Sequence, residues 1–124
     1  MNITRNLILL SSLWCSVSAL ATGFEGSQSE AVSRGAYIFD IGGCASCHTN
    51  KQPLGGGVEL VTPLGTFISS NISSHQQFGI GGWTNAQFIK AMREGVSPDG
   101  EHYYPAFPYT SYANMPKQDL LDLK

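Results

Sequence analysis

Charge is scarce in this chain. Asp, Glu, Lys and Arg make up 13% of its 124 residues, as 7 basic and 9 acidic side chains. That is about half the usual share. A net charge of −2 builds no basic field, so nucleic acid is not expected as a partner. Cysteine is scarce too, at three residues, and an odd number does not suit a fully disulfide-bonded secreted scaffold. No nucleophile beside a base, and no pair of acid–base carboxylates, stands in a context that marks a catalytic site. Disorder is also excluded, because 42% of the residues are hydrophobic. What the chain has in plenty is turn-forming residues, 14 Gly and 6 Pro.

The odd cysteine count resolves at the N-terminus. A polar start with Arg5 precedes an apolar run from Leu7 to about Val17, and Ala19-Leu20-Ala21 supplies a small-x-small cleavage pattern. This is the pattern of a secretory signal peptide, residues 1–21, and its apolar run is too short to span a bilayer. Bulky Leu13 and Trp14 before Cys15 argue against a lipid anchor on that cysteine. Cleavage after Ala21 is expected to deliver the chain across the inner membrane to the periplasm, with no membrane anchor left in it. Only Cys44 and Cys47 then remain, in an oxidising compartment where idle thiols react.

Cys44-Ala45-Ser46-Cys47-His48 reads C-x-x-C-H, the attachment pattern for a c-type haem. Two thiols one helical turn apart reach the two vinyl groups of a porphyrin and form thioethers. The adjacent His48 is thereby held under the iron as its proximal ligand. Two other readings compete. A thioredoxin-like C-x-x-C needs a preceding strand, whereas the preceding segment here has helical spacing. A zinc site could recruit His75 or His102 as further ligands, but those two lack the close His spacing typical of zinc fingers.

Residues 22–32 read as a flexible lead and residues 33–124 as the domain proper. Val32, Ala36 and Phe39 recur at helical spacing between Ser29, a candidate N-cap, and Gly42-Gly43. Gly35 inside that helix predicts a close helix contact. Residues 49–82 show no long periodic run and are expected to wrap a flat ligand as an extended loop region. Thr84-Asn85-Ala86-Gln87 fits a capping box, Phe88, Ile89 and Met92 form an apolar face, and Gly95 is the expected C-terminal stop. An aromatic segment follows, with Tyr103, Tyr104, Phe107, Tyr109 and Tyr112 as rings to pack against one another or a porphyrin. The last helix is expected to start near Pro116 and to run about nine residues, short for one that closes a domain. That brevity suggests a fragment or truncated copy.

The order helix, C-x-x-C-H, Gly/Pro loops, helix, aromatic loop with Met, helix resembles the class I cytochrome c fold. Arg34-Gly35-Ala36-Tyr37, Thr62-Pro63-Leu64-Gly65-Thr66, Ser70-Asn71-Ile72, Gly79-Ile80-Gly81-Gly82-Trp83, Ala91-Met92-Arg93-Glu94-Gly95-Val96 and Tyr104-Pro105-Ala106-Phe107-Pro108-Tyr109 narrow it. These stretches are similar to haem domains of the cytochrome c subunits of membrane-bound alcohol, aldehyde and gluconate dehydrogenases. The resemblance implies an all-α fold of three main helices with long Gly/Pro-rich loops around one covalent haem c. It also implies a single-haem electron carrier rather than an enzyme, taking electrons from a dehydrogenase subunit and passing them to a respiratory-chain acceptor. Such subunits often carry three haem domains and an anchor, whereas this sequence has one C-x-x-C-H.

The distal iron ligand is the open choice. Class I cytochromes use a Met thioether there, which raises the potential. Met115, between the aromatic loop and the last helix, is the expected ligand. Met92, on a capped helix's apolar face, is expected to fill the core. Some relatives carry a Met in the Tyr-Pro-Ala-x-Pro-Tyr motif where this chain has Phe107. His102 and His75 are further candidates. An empty sixth position would point instead to a haem oxidoreductase, a peroxidase or a sensor. A backbone carbonyl, at Pro53 or Pro63, is expected to accept the N–H of His48.

Overall fold

A computed structural model describes residues 24–124, with side chains from Gln28 onward. The predicted signal peptide, its cleavage site and Cys15 lie outside the described residues. Four α-helices appear in chain order: α1 (Phe24–Ile41), α2 (Cys44–His48), α3 (Asn85–Glu94) and α4 (Lys117–Leu123). A hairpin of β1 (Glu59–Thr62) and β2 (Gly65–Ile68) lies between α2 and α3, and a 3₁₀ turn (Tyr109–Ser111) precedes α4.

Helix α1 starts at Phe24, five residues before the expected Ser29 cap, and so takes up most of the predicted flexible lead. It stops at Gly42-Gly43, as the sequence indicates. The amide of Gly42 still bonds the Ile38 carbonyl, and Gly43 then turns into the left-handed region at φ 64°. This reversal sends the chain straight into α2, whose single turn carries both cysteines.

Gly35 is the contact between α1 and α4. A Cβ built on it would lie 2.0 Å from the Asp122 carbonyl oxygen, so only glycine lets the two backbones approach this closely. The Arg34 Nε donates to Asp122 Oδ2 at 2.6 Å beside it. Val32, Ala36 and Phe39 line the shallow groove between the same helices, though Val32 stays 64% exposed.

Helix α3 follows its sequence signals closely. The Thr84 hydroxyl accepts from the Gln87 amide, the Gln87 side chain accepts from the Thr84 amide, and Gly95 ends the helix at φ 66°. Phe88, Ala91 and Met92 are buried on α3, and Phe88 and Met92 cluster with Leu120 of α4, which is fully buried. The buried apolar side chains among the described residues are those four and Val96. That is a small core for about a hundred residues.

Two expectations need correction. Residues 49–82 are not wholly irregular, because β1 and β2 pair antiparallel with Leu60 opposite Phe67 and Thr62 opposite Gly65. The two-residue turn Pro63-Leu64 is locked by Thr62, whose hydroxyl accepts from Leu64 N–H and donates to the Gly65 carbonyl. Among the described residues the five-residue helix α2 accompanies three longer ones, and α4 is seven residues long rather than about nine, with Pro116 as its N-cap. The mainly helical chain with its small sheet fits a class I cytochrome c fold.

Candidate functional site

A cavity of about 1010 Å³ opens in the middle of the domain. That is at the upper end of the range for small-molecule and cofactor pockets. Cys44, Cys47 and His48 all line it. The cysteines, at i and i+3 of α2, stand one helical turn apart on neighbouring positions. Both are half-buried free thiols. Burial pushes the Cys44 thiol above its ordinary range. That direction is opposite to the one that activates a redox C-x-x-C thiolate.

His48 is oriented by the chain that follows the hairpin. Its Nδ1 lies 2.8 Å from the carbonyl oxygen of Ser70. A carbonyl can only accept, so Nδ1 carries the proton and the Nε2 lone pair is left free for a metal. The sequence foresaw a backbone carbonyl in this role but placed it at Pro53 or Pro63; the acceptor is Ser70. The hairpin explains the choice. Its ladder continues outward through Gly57 N–H to the Ser69 carbonyl and Ser69 N–H to Val58, which brings residue 70 under the imidazole. Gly56 N–H closes the arrangement on the His48 carbonyl at 2.8 Å.

The opposite wall comes from α3 and the aromatic segment. Phe88 and Met92 line the cavity, with Tyr103, Tyr104, Phe107 and Tyr112. Tyr104 packs against Phe67 of β2 in a tilted pair with centroids 5.1 Å apart, joining the hairpin to the aromatic segment. Tyr109 turns away and packs its ring over Gly95, where a Cβ would collide with it. Burial raises the Tyr112 phenol above its ordinary range, and charge on the two nearby cysteines acts in the same sense.

The remaining candidate ligands divide. Met115 packs against the cluster of Phe88, Met92 and Leu120 but is not among the residues lining the cavity, whereas Met92 is. The Met115 backbone is held at both ends: its amide donates to Tyr112 O at 3.0 Å and its carbonyl accepts from Arg93 Nη2 at 2.6 Å. His75 does not line the cavity, and its Nδ1 accepts from the amides of Gln77 and Phe78. His102 is exposed and sits in a bridge with Val96, away from the cavity. Ser70 and Arg93 are the two residues that sequence reasoning missed. A carbonyl acceptor has no side-chain signature, and a helical arginine reads as solvated.

The donor set suits a c-type haem: two thiols one turn apart, an imidazole with a free Nε2, and a largely apolar cavity of cofactor size between them. No family model matches the chain. It is 51% identical to a diheme cytochrome c-type protein of Cereibacter sphaeroides over 108 residues, 82% of this chain and 36% of that protein. It is 42% identical to the cytochrome c subunit of a quinone alcohol dehydrogenase of Gluconacetobacter polyoxogenes over 96 residues. That match covers 76% of this chain and 20% of the subunit. It is 39% identical to the gluconate 2-dehydrogenase cytochrome c subunit of Pantoea cypripedii over 106 residues, 84% of this chain and 24% of that subunit. The chain thus spans about a third or less of the length of these relatives. Within that span it is homologous to the cytochrome c subunits of dehydrogenases, and it belongs with them among the c-type cytochromes.

Proposed function

We propose that this chain is a periplasmic electron carrier with a single haem c, held by thioethers to Cys44 and Cys47 and by His48 as proximal ligand. The observation that carries the reading is the placement of those three side chains on one cavity, with the His48 ring fixed by Ser70. A bound haem supplies an iron that takes up one electron as Fe(III) and releases it as Fe(II). The chain's own residues hold it in place, exclude water with the Phe88, Met92 and Phe107 wall, and keep the imidazole in the ligating tautomer. Residues 1–21 act as the export signal that brings the chain to the compartment where thioethers form. The electron donor is a dehydrogenase subunit and the acceptor a respiratory-chain component. Both contacts are small and transient, as redox encounters usually are.

Met115 is the distal ligand in this reading. It is supported by the tying of its backbone at the amide and at the carbonyl, and by its packing against Phe88 and Met92. A second reading follows from its absence from the cavity lining. A displaceable sixth position would then bind small molecules and support peroxidase or sensor chemistry.

The haem-loaded chain tests both. Haem that survives acid extraction in the wild type, is lost in a C44A/C47A variant, and analyses as one iron per chain supports the single covalent site. A weak red-edge absorption band in the oxidised protein reports Met–Fe(III) coordination and favours the carrier. Rapid carbon monoxide binding without that band favours the second reading.

A further inference from the structure

Arg93 occupies the last turn of α3, next to cavity-lining Met92, and its guanidinium reaches across to the segment before α4. Its Nη2 donates to the Met115 carbonyl at 2.6 Å, a short charge-assisted bond. Its Nε is buried and has no hydrogen-bond partner among the described residues. Nor does it pair with a carboxylate there, since the ion pair among the described residues joins Arg34 to Asp122. An arginine serving only stability would be expected to satisfy its buried donors, because an unmet one is destabilising. Here a partly desolvated cation is spent on one backbone carbonyl, that of the proposed distal ligand.

We propose that Arg93 is a positioning residue for the distal side of the site: it fixes the Met115 backbone so that the thioether has one orientation. The inference rests on the reading of Met115 as distal ligand. The Tyr112 carbonyl holds the other end of the same residue, at its amide, so Met115 is clamped on both sides of its Cα. Without the guanidinium, one clamp opens and the carbonyl loses its only partner among those described. The segment can then move away from the iron, while the proximal side, built from α2 and Ser70, is untouched. The arginine's charge acts in the same sense, since a nearby cation disfavours the oxidised iron.

The test uses the haem-loaded chain as R93Q, R93K, T84A and M115L variants. It follows the red-edge band, the rate of carbon monoxide binding to the reduced protein, and the reduction potential. R93Q is expected to lose most of the band, bind carbon monoxide at least tenfold faster and show a lower potential, with R93K, which keeps the cation but not the planar fork, falling clearly short of wild type in all three. T84A weakens α3 without touching the Arg93–Met115 bond, so it is expected to lower stability and leave all three readouts alone. A band, rate and potential in R93Q equal to wild type, while M115L loses the band, overturn the role of Arg93 alone. A band that persists in M115L overturns the ligand reading and this inference with it. Should R93Q fail to load haem, R93K decides: a planar fork is lost but a cation is kept, and wild-type values for all three readouts refute positioning by the guanidinium.

Discussion

Gly35 and Asp122 are in contact through bare backbone: a Cβ on Gly35 would lie 2.0 Å from the Asp122 carbonyl oxygen and 2.6 Å from its carbon. Neither atom belongs to a flexible side chain, so the clash cannot be relieved by a rotamer change. G35A is therefore expected to separate α1 from α4 and to destabilise the haem-loaded chain by about 1–3 kcal/mol, the usual range for overpacking. Thermal or denaturant unfolding measures it. A midpoint equal to wild type would show that the two helices do not pack at this distance.

Beside that contact, the Arg34–Asp122 pair gives stability a defined pH dependence. The Asp122 side chain is 3% exposed while that of Arg34 is 53% exposed, so the carboxylate is shielded and the guanidinium reaches water. Hydrogen bonds from Arg34 and then Gln118 hold the Asp122 carboxyl below the ordinary carboxylate range. A carboxyl depressed in the folded state binds its proton more readily when unfolded. Its contribution is thus complete above the unfolded value, about pH 4, and is lost as pH falls through the folded one. Unfolding midpoints taken from neutral pH down to about pH 3 should fall less steeply in D122N than in the wild type. Parallel slopes would remove Asp122 from the acid response.

The capping box at Thr84 offers a smaller, local measurement. Thr84 and Gln87 satisfy each other's amides at 3.2 and 2.8 Å. T84A removes the hydroxyl acceptor and strands the Gln87 amide, at a cost of about 1 kcal/mol. The optical spectrum of the bound haem is expected to stay unchanged, because α3 keeps its place between α4 and the cavity. A spectral change would mean that the start of α3 is coupled to the iron.

The capping box, Gly95 and the α1 stop were legible because each is a local device, complete within a few residues. Cys44, Cys47 and His48 are equally local, since their spacing within the short helix α2 is read directly from the chain and all three line one cavity. The hairpin was less visible: β1 and β2 have four residues each, too few to show alternation, although β-branched residues flank Pro63-Leu64. The Ser70 carbonyl was out of reach, since any residue can supply one and only the hairpin register selects it. Arg93 was hidden for a related reason, because its partner is the backbone of a residue on another segment. The aromatic rings were readable as a class, yet their division was not. Tyr109 covers Gly95 while Phe107 faces the cavity, and that split depends on the 3₁₀ turn between them and α4.

Gly56 ties the hairpin to the proximal side. It has φ 72°, its amide donates to the His48 carbonyl, and a Cβ there would come within 2.5 Å of the Ser69 and Ser70 backbone. G56A is strained in itself and pushes on the carbonyl that orients the His48 ring. Loss of the Nδ1–H bond makes the imidazole a poorer donor, which destabilises Fe(III) relative to Fe(II). The expected outcome is a higher reduction potential together with a loss of about 1–3 kcal/mol of stability. Voltammetry and denaturant titration of the loaded chain separate the two effects. A potential unchanged in a destabilised variant would leave Gly56 as a folding residue alone.

Met92 and Met115 make opposite predictions for one substitution. Met92 is 9% exposed, lines the cavity and belongs to the core cluster; Met115 packs against that cluster from the segment before α4. Leucine nearly conserves the volume of methionine and removes the sulfur, so it deletes a ligand while costing under about 1.5 kcal/mol in packing. With Met115 on the iron, M115L abolishes the red-edge band and opens the reduced protein to carbon monoxide, and M92L does neither. With Met92 on the iron the results exchange. Packing itself argues for the first pattern: Met92, within α3, moves only with its helix, whereas Met115 lies between the 3₁₀ turn and α4. Its side chain is then the part that turns toward a bound haem, while Arg93 and Tyr112 hold its backbone.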